Sequence, residues 1–475
     1  MRRADRVEMG GVLGRTFGAI ALWLLGGWLS LDVAAQCQRE PLGPTLTPVV
    51  HVSDVASLLA AVRQGNKTGN LTIALAEGEY ALKRPLGLSN RNITLRGLTG
   101  ERERVVLRGD GMSGGVSHIF QITGSDITIA DLTAGWVRYH VAQIHAESDA
   151  DRIRLHNVRF VDAAEQIIKM SHRRGGPQSD ETLIEWSVFE FTSGHAHQSY
   201  TGGIGAIGAR DLTIRNNVFR NIRVPPGVRG SATAIMVRRD SAGTRIEKNV
   251  IVNSDTGIRL GLSDGAHGPG YVINNIVHAV GDVGISLEHA SGVVVAHNTV
   301  WSDTYPNAIE YRFPDSLNNR IEANLLRGAI RKRDGAVAVV EGNVEFAQAD
   351  WFLAPALGNL TLAKGHPALV DRAEPLPYVA DDVHCRPRPA GRYPDVGAEE
   401  YSGLASDDDG LLGMMLERFT GLIDIWWGSV AYSAARLPGP LWPIFSVGFL
   451  LGLWVGGVWI WQARQDARKS ERATL

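Results

Sequence analysis

The sequence predicts an all-β fold, a right-handed parallel β-helix (solenoid), followed by a C-terminal amphipathic helix and one transmembrane helix. An Asn-containing turn recurs at steps of 19 to 32 residues, and short alternating strands such as 211–214 precede these turns. No helical period separates the strands, which argues against βαβ folds. An uncharged apolar run at 441–461 is long enough to cross a bilayer.

The recurring turn is interpreted as structural. Amide side chains that stack at one turn of each coil hydrogen-bond along the solenoid and tolerate left-handed backbone angles. Spacings this irregular are typical of solenoid coils whose loops differ in length. The residues at this turn are Asn157, Ser187, Asn217, Asn249, Asn275, Asn298, Asn324 and Asn343.

A second set of strands predicts a polar outer face. Each strand has an apolar residue at its first and third position, so the second and fourth residues point outward. A groove for an extended polar ligand and a solvated face held by Arg–Glu pairs are both compatible with this pattern. One predicted column is Gln121, His145, Lys169, Gly205, Met236, Arg259, Ser286 and Glu310; the other is Thr123, Glu147, Ser171, Ile207, Arg238, Gly261, Glu288 and Arg312.

Both ends of the chain predict export and membrane attachment. An arginine-rich start and a short apolar run before 33–35 are typical of a cleaved signal peptide, with an uncleaved anchor as the alternative. Arg and Lys residues directly after the apolar run predict a cytoplasmic tail. We therefore expect a bacterial-type inner-membrane protein with one C-terminal span and its solenoid in the periplasm or outside the cell.

These features divide the chain into six parts. Gly448, Gly452 and Gly456 share one face of the predicted span, which permits a homodimer through close helix approach. The parts are a signal peptide (1–35), an N-terminal extension and cap (36–70), the β-helix with its closing segment (71–401), an acidic linker and amphipathic helix (402–440), the transmembrane helix (441–461) and a basic tail (462–475).

Charge and cysteine content narrow the function classes. The formal net charge of the 475 residues is −2, which argues against nucleic acid as a partner. Only two cysteines occur, Cys37 and Cys385, one near each end of the predicted solenoid. A disulfide and two isolated thiols are both compatible with the sequence in an oxidising compartment.

The chain resembles the secreted right-handed parallel β-helix proteins, and most of all the group of chondroitinase B and the β-helical alginate lyases. The resemblance covers about 71–401. The segments 92–97 (NITLRG) and 105–109 (VVLRG) look like the first coil of such proteins, and 395–399 (DVGAE) resembles their closing sequence. This resemblance implies activity on polysaccharides.

The segment 165–171 (EQIIKMS) is similar to the part of these lyases that carries a Lys base, which makes Lys169 the matching residue. The resemblance also implies an Arg one coil later, where this chain has Gly205 and Ile207, and it implies Ca²⁺ as a cofactor. No ligand set for that ion is assigned from the sequence.

β-Elimination of a uronic-acid polymer requires a neutralised carboxylate, a base and a proton donor for the leaving oxygen. Residues of these types follow the matched strand, in the long coil 171–205. His195 and His197 are alternatively metal ligands, and the loop is alternatively only polar. The predicted catalytic residues are Lys169, Arg173, Arg174, His195, His197 and Tyr200; the predicted substrate-binding residues are His145, Glu147, Arg238, Arg259, Glu288, Glu310 and Arg312.

Three functions remain open from the sequence. The first is β-elimination of an acidic polysaccharide, and the second is a non-catalytic scaffold that binds polysaccharide or an envelope partner. The third is a glycoside hydrolase or uronate epimerase, for which Glu288 and Glu310 would form the carboxylate pair. Hydrolysis requires these two carboxylates to be free of arginine partners such as Arg259 and Arg312.

Overall fold

The computed structural model describes residues 37, 39–44, 46–263 and 265–401. The signal peptide, the amphipathic helix, the transmembrane helix with its glycines and the basic tail, all predicted above, lie outside these residues. Within the described ranges, no helix has the length and apolarity that a membrane span needs.

The described chain is a right-handed parallel β-helix of about 11 turns. One α-helix, α1 (Val55–Thr68), precedes most of the strands. The strands are β1 (Val49–Val52), β2 (Leu71–Leu75), β3 (Gly78–Ala81), β4 (Leu86–Leu88), β5 (Ile93–Gly97), β6 (Val105–Arg108), β7 (His118–Ile122), β8 (Thr128–Val137), β9 (His140–His145), β10 (Arg154–Ala163), β11 (Gln166–Ser171), β12 (Ser179–Asp180), β13 (Leu183–Glu185), β14 (Val188–Glu190), β15 (Gly202–Ile207), β16 (Ala209–Arg210), β17 (Thr213–Arg215), β18 (Val218–Arg220), β19 (Thr233–Arg238), β20 (Thr244–Glu247), β21 (Val250–Ser254), β22 (Thr256–Leu260), β23 (Gly270–Ile273), β24 (Ile276–Ala279), β25 (Ile285–Glu288), β26 (Val293–Ala296), β27 (Thr299–Ser302), β28 (Asn307–Arg312), β29 (Asn319–Glu322), β30 (Leu325–Arg327), β31 (Ala329–Lys332), β32 (Ala338–Glu341), β33 (Phe352–Ala354) and β34 (Asn359–Leu362).

Ten of these strands form one continuous parallel sheet, here called sheet 2, in the order β4, β7, β9, β11, β15, β19, β22, β25, β28 and β31. A larger parallel sheet of twenty strands, sheet 1, forms the other walls of the solenoid. Each coil therefore places one strand in sheet 2 beside the strand of the preceding coil. Side chains that point outward from sheet 2 form rows along the solenoid axis, with about 4.8 Å between neighbours.

Apolar side chains fill the solenoid from end to end. The rings of Phe120, Phe160, Phe189 and Phe219 follow one another through four coils, with centroid distances of 6.0, 6.1 and 5.0 Å. Helix α1 closes the N-terminal end, because its buried face carries Leu58, Ala61 and Val62. Asp54 begins the helix, and its side chain accepts a hydrogen bond from the Ser57 amide at 2.7 Å.

The asparagine ladder is present. The Nδ2 atom of each ladder Asn donates to Oδ1 of the Asn in the next coil, at 3.0 Å from Asn249 to Asn275 and 3.0 Å from Asn275 to Asn298. The left-handed backbone angles belong to the preceding residue, with φ of 54° at Lys248 and 53° at Asn274. The ladder residue itself faces inward, because its amide must reach the backbone of neighbouring coils.

Asn157 does not belong to this ladder, in contrast to the prediction from its spacing. Strand pairing aligns Arg159 with Val188, which places Val158 opposite Ser187. Asn157 instead occupies the left-handed position, with φ of 52°, and donates to Asp131 Oδ1 at 2.7 Å. The spacing alone could not detect this one-residue offset because Ser187 interrupts the run of asparagines.

Replacing Asn275 with alanine is expected to lower the free energy of unfolding by about 2–4 kcal/mol, because buried amide groups of the ladder lose their partners. The backbone N–H and Nδ2 of Asn249 both donate to Asn275 Oδ1. Urea unfolding followed by circular dichroism measures the change. Asn343→Ala, at the half-buried end of the ladder, is the control and should cost less, since water can replace its hydrogen bonds.

The segment after β34 folds back over the asparagine turns. Asn274 Nδ2 donates to the Asp381 carbonyl at 2.7 Å, and the Gly397 amide donates to the Ala323 carbonyl at 2.9 Å. Cys385 in this segment forms a disulfide with Cys37, across 348 residues of sequence. Of the two possibilities for the cysteines, the structure therefore has the disulfide.

Candidate functional site

The strand register of sheet 2 defines its outward rows. The central row runs through Gly87, Gln121, Gln143, Lys169, Gly205, Met236, Arg259, Ser286, Glu310 and Arg331. Beside it, the end row contains the aligned pairs His145 with Ser171, Ile207 with Arg238, and Glu288 with Arg312.

Two predicted positions need correction. Ala142, not Ile144, pairs with Phe120, so Gln143 lies in the central row and His145 lies in the end row. Glu147 follows in a short 3₁₀-helix, Ala146–Ser148, and belongs to neither row. A slip of two residues preserves the alternation of inward and outward side chains, so the apolar pattern could not exclude it.

His145 and Glu147 nevertheless contact each other at the end of β9. His145 Nδ1 is 3.0 Å from Glu147 Oε1, and Ser171 Oγ donates to Glu147 Oε2 at 2.9 Å. Although burial acts in the opposite direction, these hydrogen bonds lower the pKa of Glu147. Glu147 is thus an ionised acceptor that orders the end row.

Lys169 lies at the centre of sheet 2 with a half-buried side chain. Its neighbours along the central row are Gln143 on one side and Gly205 on the other. In the described part of the chain, no salt bridge or hydrogen bond involves Lys169 Nζ. A Cβ atom at Gly205 would lie 3.1 Å from Gln166 Cγ, so the absence of a side chain there lets the Gln166 side chain pack over the strand.

A further row at the start of the sheet 2 strands, here called the start row, consists of His118, His140, Gln166 and Gly202. His140 Nδ1 donates to the Gln166 carbonyl at 2.8 Å, and its Nε2 is 3.4 Å from Glu165 Oε2. Burial lowers the pKa of His140 to about 3, and burial raises the pKa of Glu165. The imidazole is therefore neutral at neutral pH, and Glu165 retains its proton to a higher pH than an ordinary glutamate.

The C-terminal half of sheet 2 differs, because its charges pair with one another. Arg259 lies 3.5 Å from both Glu288 and Asp282. Arg312 pairs with Asp334 at 2.7 Å. Arg238 also has an interaction partner.

Glu310 accepts from Tyr305 Oη at 2.7 Å, from Asn307 Nδ2 at 2.6 Å and from Arg333 at 3.1 Å. Burial opposes the shift, but these hydrogen bonds lower the pKa of Glu310. Arg333, not Arg312, is thus the arginine partner of Glu310. Because Glu288 and Glu310 each have an arginine partner, the condition for a hydrolytic carboxylate pair is not met.

The predicted loop residues lie on two connections. Arg173 and Arg174 are exposed in the turn after β11. His195, His197 and Tyr200 lie between β14 and β15, where Thr201 Oγ1 donates to the Glu165 carbonyl at 3.1 Å. This contact places the second loop at the start of β11, on the strand that carries Lys169.

The metal interpretation finds no support in these side chains. His195 Nδ1 donates to the Ala196 carbonyl at 2.8 Å, whereas His197 Nε2 is 3.4 Å from Ser113 Oγ. Across the described ranges, no group of three or more His, Cys, Asp or Glu residues is arranged to hold a metal ion. The ion that the resemblance implies therefore has no matching ligand set in this part of the chain.

A family model described as the right handed beta helix region matches residues 143–346. This chain is a right-handed parallel β-helix protein. No curated protein sequence matches this β-helix protein.

Solved structures similar to this β-helix protein include pectate lyase Pel9A, with 13% identity over 75% of this chain and 97% of that one and a TM-score of 0.49. An alginate lyase from Paenibacillus sp. str. FPU-7 has 16% identity over 63% and 99% of the two chains and a TM-score of 0.44. The Azotobacter vinelandii mannuronan C-5 epimerase AlgE4 A-module has 16% identity over 62% and 95% and a TM-score of 0.41. At these identities the likeness describes the fold alone.

Sequence reasoning missed most of the neutral polar residues around Lys169. Its assignment of the central row included Gln121 but not Gln143, and it did not select His118, His140 or Gln166. The signal was present in the connection lengths, since only two residues separate β8 from β9 and β10 from β11. Because these connections are so short, neither the start of β9 nor the start of β11 is covered by the loop that leads into it.

Proposed function

We propose that the protein binds an acidic polysaccharide across sheet 2 and cleaves it by β-elimination, with Lys169 as the base. The observation that carries this proposal is the contrast within the central row. Among the described residues Lys169 forms no salt bridge, its row neighbours are uncharged, and the carboxyl group it acts on is that of Glu165, whose pKa it lowers against the larger effect of burial. Arg259 and Glu310 further along the row are paired.

A uronate carboxylate is the natural partner for this amine. Gln121 and Gln143 in the central row carry no charge that competes for Lys169. Arg173 and Arg174, exposed beyond the end of β11, are proposed to neutralise the carboxylate.

In the proposed reaction, uncharged Lys169 Nζ takes the proton from C5 of the uronate. The electron pair of that bond forms the C4–C5 double bond, the bond from C4 to the glycosidic oxygen breaks, and this oxygen takes a proton. His197 and Tyr200, on the loop that Thr201 joins to Glu165, are the proposed donors.

Non-catalytic binding is the second candidate. Gly205 and Ile207 occupy the coil after Lys169, where the resemblance to the lyases implies an arginine. Without a second cation in that coil, the same face binds the polymer but lacks a group that stabilises the charge formed at the carboxylate during proton removal.

Ultraviolet absorbance of unsaturated uronates tests the proposal with the purified full-length chain and alginate, chondroitin or pectate. A rise in absorbance that Lys169→Ala abolishes supports the lyase. Retardation of a polymer in affinity electrophoresis without a rise, again dependent on Lys169, supports the binding protein. If neither signal depends on Lys169, both candidate functions are wrong.

We also propose that the solenoid works outside the cytoplasm, tethered at the inner membrane by 441–461. The Cys37–Cys385 disulfide supports this location, because such bonds persist in oxidising compartments. Protease added to spheroplasts should digest the solenoid of a membrane-tethered, periplasmic chain. Protection of the solenoid until the cells are lysed would contradict the location.

A further inference from the structure

Two long connections flank two short ones along the start of sheet 2. Nine residues (109–117) separate β6 from β7, and eleven (191–201) separate β14 from β15. The two coils between them have only Arg138–Tyr139 and Ala164–Glu165 as connections. The two long loops therefore border two coils whose connections are short, and the space at these two connections is here called the recess.

Backbone contacts establish the order of residues across this recess. The Tyr139 amide donates to the Ser117 carbonyl at 2.9 Å, and the Glu165 amide donates to the Tyr139 carbonyl at 3.1 Å. Thr201 Oγ1 then contacts the Glu165 carbonyl. Over the two short coils the long loops approach each other, because Ser113 Oγ is 3.4 Å from His197 Nε2.

The floor of the recess contains buried polar atoms without partners. His118 is 6% exposed and Gln166 is 9% exposed. Within the described ranges, His118 Nε2 and Gln166 Oε1 make no direct hydrogen bond, and the Gln143 side chain interacts with the His118 ring. A buried polar atom without a partner is unfavourable, so a ligand that supplies the missing hydrogen bonds gains from both atoms.

An aromatic ring lies beside these atoms. Tyr139 is 38% exposed, and its ring centroid is 5.8 Å from that of His118. The Arg138 guanidinium is 5.4 Å from the Tyr139 centroid. Burial lowers the pKa of His118, so its imidazole is neutral at neutral pH. The charged groups around these residues are Arg138, which lies over the Tyr139 ring, Glu165, which lies against His140, and Lys169 further along β11.

We propose that the recess formed by Ser113, Tyr139 and His197 above His118 and Gln166 binds a neutral sugar ring. An exposed aromatic face packs against the C–H face of a pyranose, and an amide and an imidazole match its hydroxyl groups. This subsite rests on the proposed function, in that the same polymer also reaches Lys169. Lys169 is three residues from Gln166, about 10 Å along the strand.

Carboxyl reduction of the polymer separates the two sites. Alginate, chondroitin and pectate would each be offered to the full-length chain in native form and with their carboxylates reduced to primary alcohols. Reduced polymer should still bind the unmodified chain. Tyr139→Ala and Gln166→Leu should each weaken its binding about tenfold, the effect of losing a stacked ring or one hydrogen bond to a buried group.

Three further variants make the measurement specific. Tyr139→Phe keeps the ring and should retain binding of reduced polymer. Lys332→Ala, which removes an exposed lysine from the last strand of sheet 2, should leave that binding unchanged. Tyr393→Ala is the matched control: Tyr393 is also 38% exposed, with Arg392 at 5.2 Å from its ring, but it lies in the C-terminal segment.

The subsite is overturned if reduced polymer fails to bind, or if Tyr139→Ala and Tyr393→Ala have the same effect. If native polymer still binds in that case, and Lys169→Ala weakens this binding, the proposed function survives without the subsite. If Tyr139→Ala weakens the binding of reduced polymer but Lys169→Ala does not weaken the binding of native polymer, the subsite stands and the proposed function fails.

Discussion

Replacing Lys169 with alanine is expected to lower the rate of unsaturated-product formation about a thousandfold, the usual effect of losing a general base. Alanine leaves no group in the central row to remove the C5 proton, because Gln143 and Gly205 on either side carry no base. Initial rates at saturating polymer concentration, measured by ultraviolet absorbance, give the effect on kcat.

The matched control is Lys332→Ala. Lys332 is an exposed lysine on β31, the last strand of sheet 2, and its removal changes the total charge equally. Equal losses for the two variants would mean that charge alone matters and would contradict a base at Lys169. Lys169→Arg separates the roles further, since arginine keeps the charge but cannot accept a proton at neutral pH.

Replacing Arg388 with alanine is expected to lower the free energy of unfolding by about 3–5 kcal/mol, because the change leaves a buried carboxylate without its partner. The side chains of Arg388 and Glu400 are each 1% exposed and form an ion pair. Arg388 also donates to the carbonyls of Asp395 at 2.9 Å and Gly397 at 2.7 Å. Urea unfolding followed by circular dichroism measures the loss.

Lys364→Ala provides the comparison for this prediction. Lys364 and Asp350 pair at 3.2 Å, but both side chains are more than half exposed. A pair in that setting contributes about 0–1 kcal/mol. A loss for Arg388→Ala no larger than that for Lys364→Ala would show that the closing segment contributes little to the stability of the solenoid.

The sequence predicted the coils well because their pattern is repetitive and local. Apolar alternation identified strands such as β22 and β25, and the ladder asparagines identified the turns. Registers were harder. A strand that begins at Ala142 and one that begins at Ile144 show the same apolar alternation, and Asn157 fits the spacing of the ladder asparagines although it lies one residue before the ladder position. Only the pairing of strands between coils distinguishes the correct registers from the predicted ones.

Long-range contacts were beyond the sequence for a different reason. Glu310 pairs with Arg333, which lies between β31 and β32 in the next coil. Arg312, considered from the sequence as its partner, pairs with Asp334 instead. His197 meets Ser113 across 84 residues of sequence, through two loops that have no repeat. The disulfide likewise depends on how far the closing segment folds back, which no periodicity records.

The covalent link between Cys37 and Cys385 changes how the solenoid responds to force. A stack of coils joined only to its neighbours would peel apart one coil at a time when tension is applied to its two ends. Here, tension applied outside the two cysteines passes directly through the disulfide, and the chain between these residues, whose sequence separation is 348, carries no load. Reduction would shift that load onto the coils, so the bond acts as a mechanical bypass for tension applied to the two ends of the solenoid.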